Sequence, residues 1–140
     1  MEKIFEIEDG VLIKCLDKNI IEAIIPGGVT SIRASAFFEC EKLESIHIPD
    51  RVTTIGAWAF GGCKKLETIN IPDGVIHIGR GAFNDCLSLK SVHIPGSVTY
   101  IGAWAFDRCK KLESVTIPNS ITDIGYRAFH HCPKLNLKCY

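Results

Sequence analysis

The sequence runs to 140 residues, enough for one domain with a buried core, and at 46% apolar and 23% charged it lacks the composition of a disordered chain. Sixteen basic residues balance sixteen acidic ones, which removes the attraction that nucleic acids and anionic membranes exert on basic proteins. No run reaches the ~18 apolar residues of a membrane-spanning helix, and Met1-Glu2-Lys3-Ile4-Phe5-Glu6 carries acids where a secretory signal has a basic segment and an apolar run.

The first predicted element is a hairpin. Residues Phe5 to Lys14 alternate apolar and polar on both sides of Asp9-Gly10, a dipeptide suited to a tight turn. From residue 25 the chain repeats. Ile25-Pro26, Ile48-Pro49, Ile71-Pro72, Ile94-Pro95 and Ile117-Pro118 stand 23 residues apart. Other ladders keep the same step: Val29, Val52, Val75, Val98 and Ile121; Ile32, Ile55, Ile78, Ile101 and Ile124; Leu43, Leu66, Leu89, Leu112 and Leu135. So do Phe37, Phe60, Phe83, Phe106 and Phe129, each preceded by Ala, and Cys40, Cys63, Cys86, Cys109 and Cys132.

A unit this short cannot bury its own apolar positions, whereas stacked copies turn each ladder into a continuous spine. Within a unit, Leu43-x-x-Ile46-x-Ile48 predicts a short strand, ended by Pro49, which has no N–H for a ladder bond. Val52-x-x-Ile55-Gly56 predicts a second extended piece, and Ala59-Phe60-x-x-Cys63 a helical turn. Gly56, Gly79, Gly102 and Gly125 are expected at positive φ, with Arg33 departing from the rule in the first unit. The expected architecture is a right-handed, β-rich solenoid with one parallel strand per turn and the short strand and helical turn on its convex side. Residues 1–24 form a hairpin cap on five repeats (25–47, 48–70, 71–93, 94–116 and 117–140), together one domain.

The unit I-P-x-x-V-T-x-I-G-x-x-A-F-x-x-C-x-x-L-x-x-I resembles the BspA-type (Treponema-type) leucine-rich repeat over residues 25 to about 137. Residues 5–24 resemble a segment that opens such arrays, with Cys15 where the family commonly carries an aromatic, so a less filled cap is expected. The resemblance implies an α/β-type leucine-rich-repeat solenoid serving as a non-catalytic recognition module. Such modules occur on bacterial or protist surfaces, and partners of some members are host matrix and plasma proteins.

Five of the seven cysteines share a ladder that points into the core, with neighbours roughly 5 Å apart. A bond between adjacent turns is conceivable at that distance, but a small apolar residue beneath Phe explains the ladder, so reduced core thiols are expected. That fits a cytoplasmic location for the chain as it stands, and the family likeness points to the cell surface if the chain is a piece of a longer protein. Cys139 is expected to be the exposed, reactive thiol.

No Cys-x-x-Cys or His-x-x-x-His occurs, and His130-His131-Cys132 reads as alternating, exposed imidazoles beside a buried thiol. Gly79-Arg80-Gly81-Ala82-Phe83-Asn84 lacks the last glycine of a dinucleotide fingerprint, and no motif pairs a nucleophile with a base. No catalytic residue, metal or cofactor is expected.

Specificity is expected at the surface. The outward residues of the concave strands are Glu44, Ser45 and His47; Glu67, Thr68 and Asn70; Lys90, Ser91 and His93; Glu113, Ser114 and Thr116. Glu67, Lys90 and Glu113 stand in one row, a candidate cross-strand charge ladder. A second candidate is an aromatic slot, where Trp58 and Trp104 flank Gly81 at one repeat position, near Arg80, Tyr126 and Arg127. Tyr100 beside His77 is a smaller version. The concave strip projects to roughly 400 Å², below the ~800 Å² per partner of a stable interface. In residues 135–140, Lys138 falls where Ile or Val belongs, so the last strand either shifts register or leaves an edge for a second copy.

These features give a protein-interaction module, its partner unidentified, with no nucleic-acid partner and no membrane insertion. Two alternatives remain: a surface adhesin fragment for host glycoproteins, and a structural unit that stacks end to end into homo-oligomers.

Overall fold

The computed structural model describes residues 3–139, the last two by backbone alone. Strands β1 (Phe5–Glu8) and β2 (Val11–Cys15) form the hairpin, antiparallel as Asp9-Gly10 requires, and both turn residues lie at positive φ. Each following turn contributes two short strands. One wall is built from β3 (Glu22–Ile24), β5 (Ser45–His47), β7 (Thr68–Asn70), β9 (Ser91–His93), β11 (Ser114–Ile117) and β13 (Asn136–Cys139). The other continues from β2 through β4 (Ser31–Ile32), β6 (Thr54–Ile55), β8 (His77–Ile78), β10 (Tyr100–Ile101) and β12 (Asp123–Ile124). All pairings after the hairpin are parallel, with a step of 23 residues between regular turns.

The strands are short because each carries few inward positions. Ile69 and Val92 are buried between exposed neighbours on β7 and β9, and the Leu, Val and Ile ladders fill the space behind them. The phenyl rings of Phe37, Phe60, Phe83, Phe106 and Phe129 stack along the axis, with centroids 5.1–5.3 Å apart and planes within 12° of parallel. Phe5 from the hairpin meets Phe37 edge-on at 6.0 Å. Cys15 and Leu12 are fully buried. The cap is therefore filled: β1 brings its aromatic from another position, and Cys15 extends the thiol ladder by one rung.

Four of the ladder thiols also have a polar partner. Cys63, Cys86, Cys109 and Cys132 donate to the carbonyl oxygen of the Phe one turn back, at 3.1–3.3 Å. This explains a thiol where Ala or Val would fill a similar volume. The six cysteines whose side chains are described are free thiols; the side chain of Cys139 lies outside the described residues. Burial pushes the Cys63 thiol up to about 12 and raises Cys86 well above its ordinary value.

The Ala-Phe-x-x-Cys segments are not helical turns. The N–H groups of Trp58, Phe60 and Gly62 donate to the carbonyls of Arg80, Ala82 and Asn84 on the next turn, so they are not free for helical bonds. The residues between them bond within their own turn, Gly61 to Trp58 and Cys63 to Phe60. This alternation needs left-handed backbone at two positions per turn. Ser35, Trp58, Gly81, Trp104 and Arg127 occupy the first, and Glu39, Gly62, Asp85, Arg108 and His131 the second, all at φ between 55° and 75°.

The expectation of positive φ at Gly56, Gly79, Gly102 and Gly125 is corrected, since none of them has it. A Cβ on Gly56 would lie 2.5 Å from the Ala34 nitrogen, and on Gly102 2.4 Å from the Arg80 nitrogen. Adjacent turns touch backbone to backbone here, and only hydrogen fits between them. Arg33 escapes the rule because it stands against the hairpin, donating to the Leu12 carbonyl.

At the last turn the register shifts. Val115 of β11 pairs with Leu137 of β13, 22 residues on, and Lys138 pairs with Thr116. One residue fewer between Leu135 and the strand gives Leu137 the register position of Val115, and Lys138 that of Thr116.

Candidate functional site

The wall of β5, β7, β9, β11 and β13 carries the predicted rows in register. Thr68, Ser91, Ser114 and Asn136 form one row, and Asn70, His93 and Thr116 the next. Glu22 and Ile24 of β3 face Ser45 and His47 in the same way. Ser45 and Thr116 are half-buried, and the other ten concave residues named from the sequence are exposed. Their backbones are fixed by the ladder, so a partner would meet a preformed array of hydroxyl, amide and imidazole groups. Glu67, Lys90 and Glu113 are neighbours through bonds from Lys90 N to Glu67 O and from Glu113 N to Lys90 O. Their side chains make no ion pair within 4.0 Å among the described residues, so the charge row is solvated.

The aromatic position has a different shape from the predicted slot. A Cβ on Gly81 would lie 2.3 Å from the six-membered ring of Trp58, so this indole lies on Gly81 and closes the gap. Gly81 serves two needs, the left-handed φ of 61° and the space for a neighbour's ring. Trp104 is directed elsewhere: Tyr126 packs edge-on against it at 6.1 Å, and the Arg80 guanidinium lies 5.8 Å from its ring. Arg127 in turn covers Tyr126 at 4.8 Å. The result is a ridge of two aromatics between two arginines, with Tyr126 64% exposed. A cleft of about 460 Å³ opens against Trp58, lined also by Phe38, Glu39, Lys64 and Asp85 among others. His77 and Tyr100 stack at 4.4 Å on the other wall.

The expected divergence of His130 and His131 is also corrected. Their rings lie 3.6 Å apart, and both Nδ1 atoms approach Oδ1 of Asp107, at 3.5 and 3.2 Å. Consecutive residues normally point to opposite sides of an extended chain, but the left-handed φ of 56° at His131 brings the second ring back beside the first. Asp107 was not singled out from the sequence. The signal is the column Phe38, Gly61, Asn84, Asp107 and His130, the one inter-ladder position where Asn, Asp and His succeed each other at the repeat step.

A family model for the BspA type leucine rich repeat region matches residues 6–136 in six copies. The chain belongs to that family. Six copies stand against the five counted from Ile-Pro because β2, Cys15, Ile20 and β3 already make a shortened first turn, paired to β4 and β5 as later turns pair. No curated protein matches the sequence. Among solved structures, a leucine-rich repeat protein from Bacteroides ovatus is 38% identical with a TM-score of 0.82, covering 94% of this chain and 36% of its own. One from Eubacterium ventriosum is 29% identical at a TM-score of 0.80, covering 99% and 40%. The pneumococcal vaccine antigen PcpA is 26% identical at 0.75, covering 97% and 37%. This BspA-type array thus spans little more than a third of each of these solved chains. No helix among its described residues is long and apolar enough to cross a membrane.

Proposed function

We propose that this array is a protein-recognition module, using the concave rows Thr68–Ser91–Ser114 and Asn70–His93–Thr116 as its binding face. The observation that supports it is the contrast between an unvarying interior and a varied, exposed outer position on rungs held in one register. Fixed backbones lower the ordering cost of association. The solved relatives include a protein named as a cell surface protein and one named as a vaccine antigen, which supports a surface-exposed setting and an adhesin-like role within a longer array. A longer array also supplies area that six rungs lack, given the roughly 800 Å² per partner of a stable complex. The ridge of Arg80, Trp104, Tyr126 and Arg127 is the second contact surface, with the aromatic and arginine anchors that interfaces favour.

The test is affinity capture from host plasma and matrix proteins with immobilised wild type and two variants. The triple change Asn70→Ala, His93→Ala and Thr116→Ala should lose a captured protein that Glu41→Ala retains. Equal capture by all three proteins would overturn the reading.

A further inference from the structure

We infer that Asp107, His130 and His131 form a binding site for a single transition-metal ion that bridges the last two turns of the solenoid. The ligand-capable atoms of the three residues lie within 4.8 Å of one another. The two His–Asp separations, 3.5 and 3.2 Å, match the edge of about 3.3 Å expected between ligands of a tetrahedral ion bound at ~2.0–2.1 Å. Two imidazoles and one carboxylate suit Zn²⁺, Co²⁺ or Ni²⁺; Ca²⁺ and Mg²⁺ take oxygen ligands.

Three further features support a built site. Asp107 is the one buried acidic or basic residue among those described, at 8% exposure, and a buried carboxylate requires compensation. Its second oxygen, Oδ2, accepts a hydrogen bond from Asn84 Nδ2 at 3.4 Å, the kind of outer contact that orients a ligating carboxylate. The backbone is fixed on both sides, since Arg108 N donates to His130 O and Asp85 N to Asp107 O. Two imidazoles brought to the same oxygen by left-handed backbone place three electron-pair donors around one point. His131 is exposed, and a cleft of about 530 Å³ lined by Lys110, Phe129 and Pro133 adjoins both rings. The remaining coordination position therefore opens to solvent.

The site holds the turn bearing His130 and His131 onto the turn bearing Asp107. That last turn is the less buried one: Ile124 is 46% exposed and Leu137 48%. An ion here would act as a staple for it.

The test uses untagged, chelator-stripped protein titrated with Zn²⁺ by calorimetry and with Co²⁺ by visible absorption. The expected result is one ion per chain and a Co²⁺ spectrum without sulfur-to-metal charge transfer. Hydrogen-exchange protection should rise in residues 121–137 on adding Zn²⁺. His131→Ala, an exposed position, and Asp107→Asn, which keeps the side-chain shape, should abolish binding or weaken it well beyond the about tenfold expected for the outer partner Asn84→Ala. His93→Ala should bind as wild type does. Absence of Zn²⁺ uptake by wild type, uptake unchanged in both His131→Ala and Asp107→Asn, or a sulfur charge-transfer band assigning the ion to thiols would each overturn the inference.

Discussion

Phe37 and Phe129 occupy the same ladder at opposite ends of the stack, yet Phe37 is fully buried and Phe129 only partly so. Ile32 and Ile124 differ in the same way, at 1% and 46% exposure. At the first end a hairpin covers the ladders, with Phe5 against Phe37. The same residue type at the same repeat position is thus buried to the extent that a neighbouring turn stands on it, so stability in this fold belongs to interfaces between turns more than to the turns themselves.

Deletion of a ring separates the middle of the stack from its end most strongly. Phe83→Ala should cost about 3–5 kcal/mol in urea denaturation, and Phe129→Ala less than half as much; equal losses would mean that the last turn is as tightly held as the middle. The glycine column gives the next largest effect. Gly102→Ala drives a methyl group into Arg80 backbone and should cost about 1–3 kcal/mol. Gly96→Ala, with nothing within 4 Å, should lie between no change and a gain of about 1 kcal/mol. Gly125→Ala meets a shorter contact, 2.1 Å from Ala103 N, but the end turn has freedom to shift, and its cost should fall below that of Gly102→Ala.

The thiols supply a pH test. Folding raises Cys63 to about 12 and Cys86 well above 9.0, with burial as the main cause. A raised pKa means that the contribution is fully present below pH 9 and is lost as pH rises from 9 towards the folded value. Each such thiol removes about 1.4 kcal/mol per pH unit over that interval. Cys86→Ala should therefore flatten the alkaline limb of a stability-against-pH curve. Cys132→Ala should not flatten it, because its thiol is lowered, chiefly by the neighbouring Cys109 thiol. The smallest effect belongs to the ridge: Arg80→Ala removes the cation over Trp104 and should cost about 0.5 kcal/mol, read as a change in Trp fluorescence with little movement of the melting point.

The ladders, the strands and the hairpin were legible in the sequence because each follows from apolar spacing, which one-dimensional reading captures directly. The left-handed positions were not. Trp58 and Arg127 have no intrinsic preference for that backbone, and it is imposed by the alternation of bonds within and between turns. Gly56 and its successors drew attention as flexible residues, while their role is to let two backbones touch. The left-handed positions reshape the candidate sites. The slot between Trp58 and Trp104 is closed because a left-handed Trp58 lays its ring on Gly81, and the histidine pair converges because His131 is left-handed. The alignment of Thr68, Ser91 and Ser114 and of Asn70, His93 and Thr116 follows from strand register alone, which the repeat step determines.

Gly81 beneath Trp58 has one more consequence. The turns look interchangeable by their shared letters, and gene segments of equal length invite unequal recombination that duplicates, deletes or reorders them. Removing residues 71–93 would keep every ladder in phase but set Trp104 where Trp58 now finds a bare α-carbon. Those two neighbouring turns are a matched pair, so their order is itself inherited information: a rearrangement that parts Trp58 from Gly81 requires the indole to take another direction, as Trp104 does before Arg127.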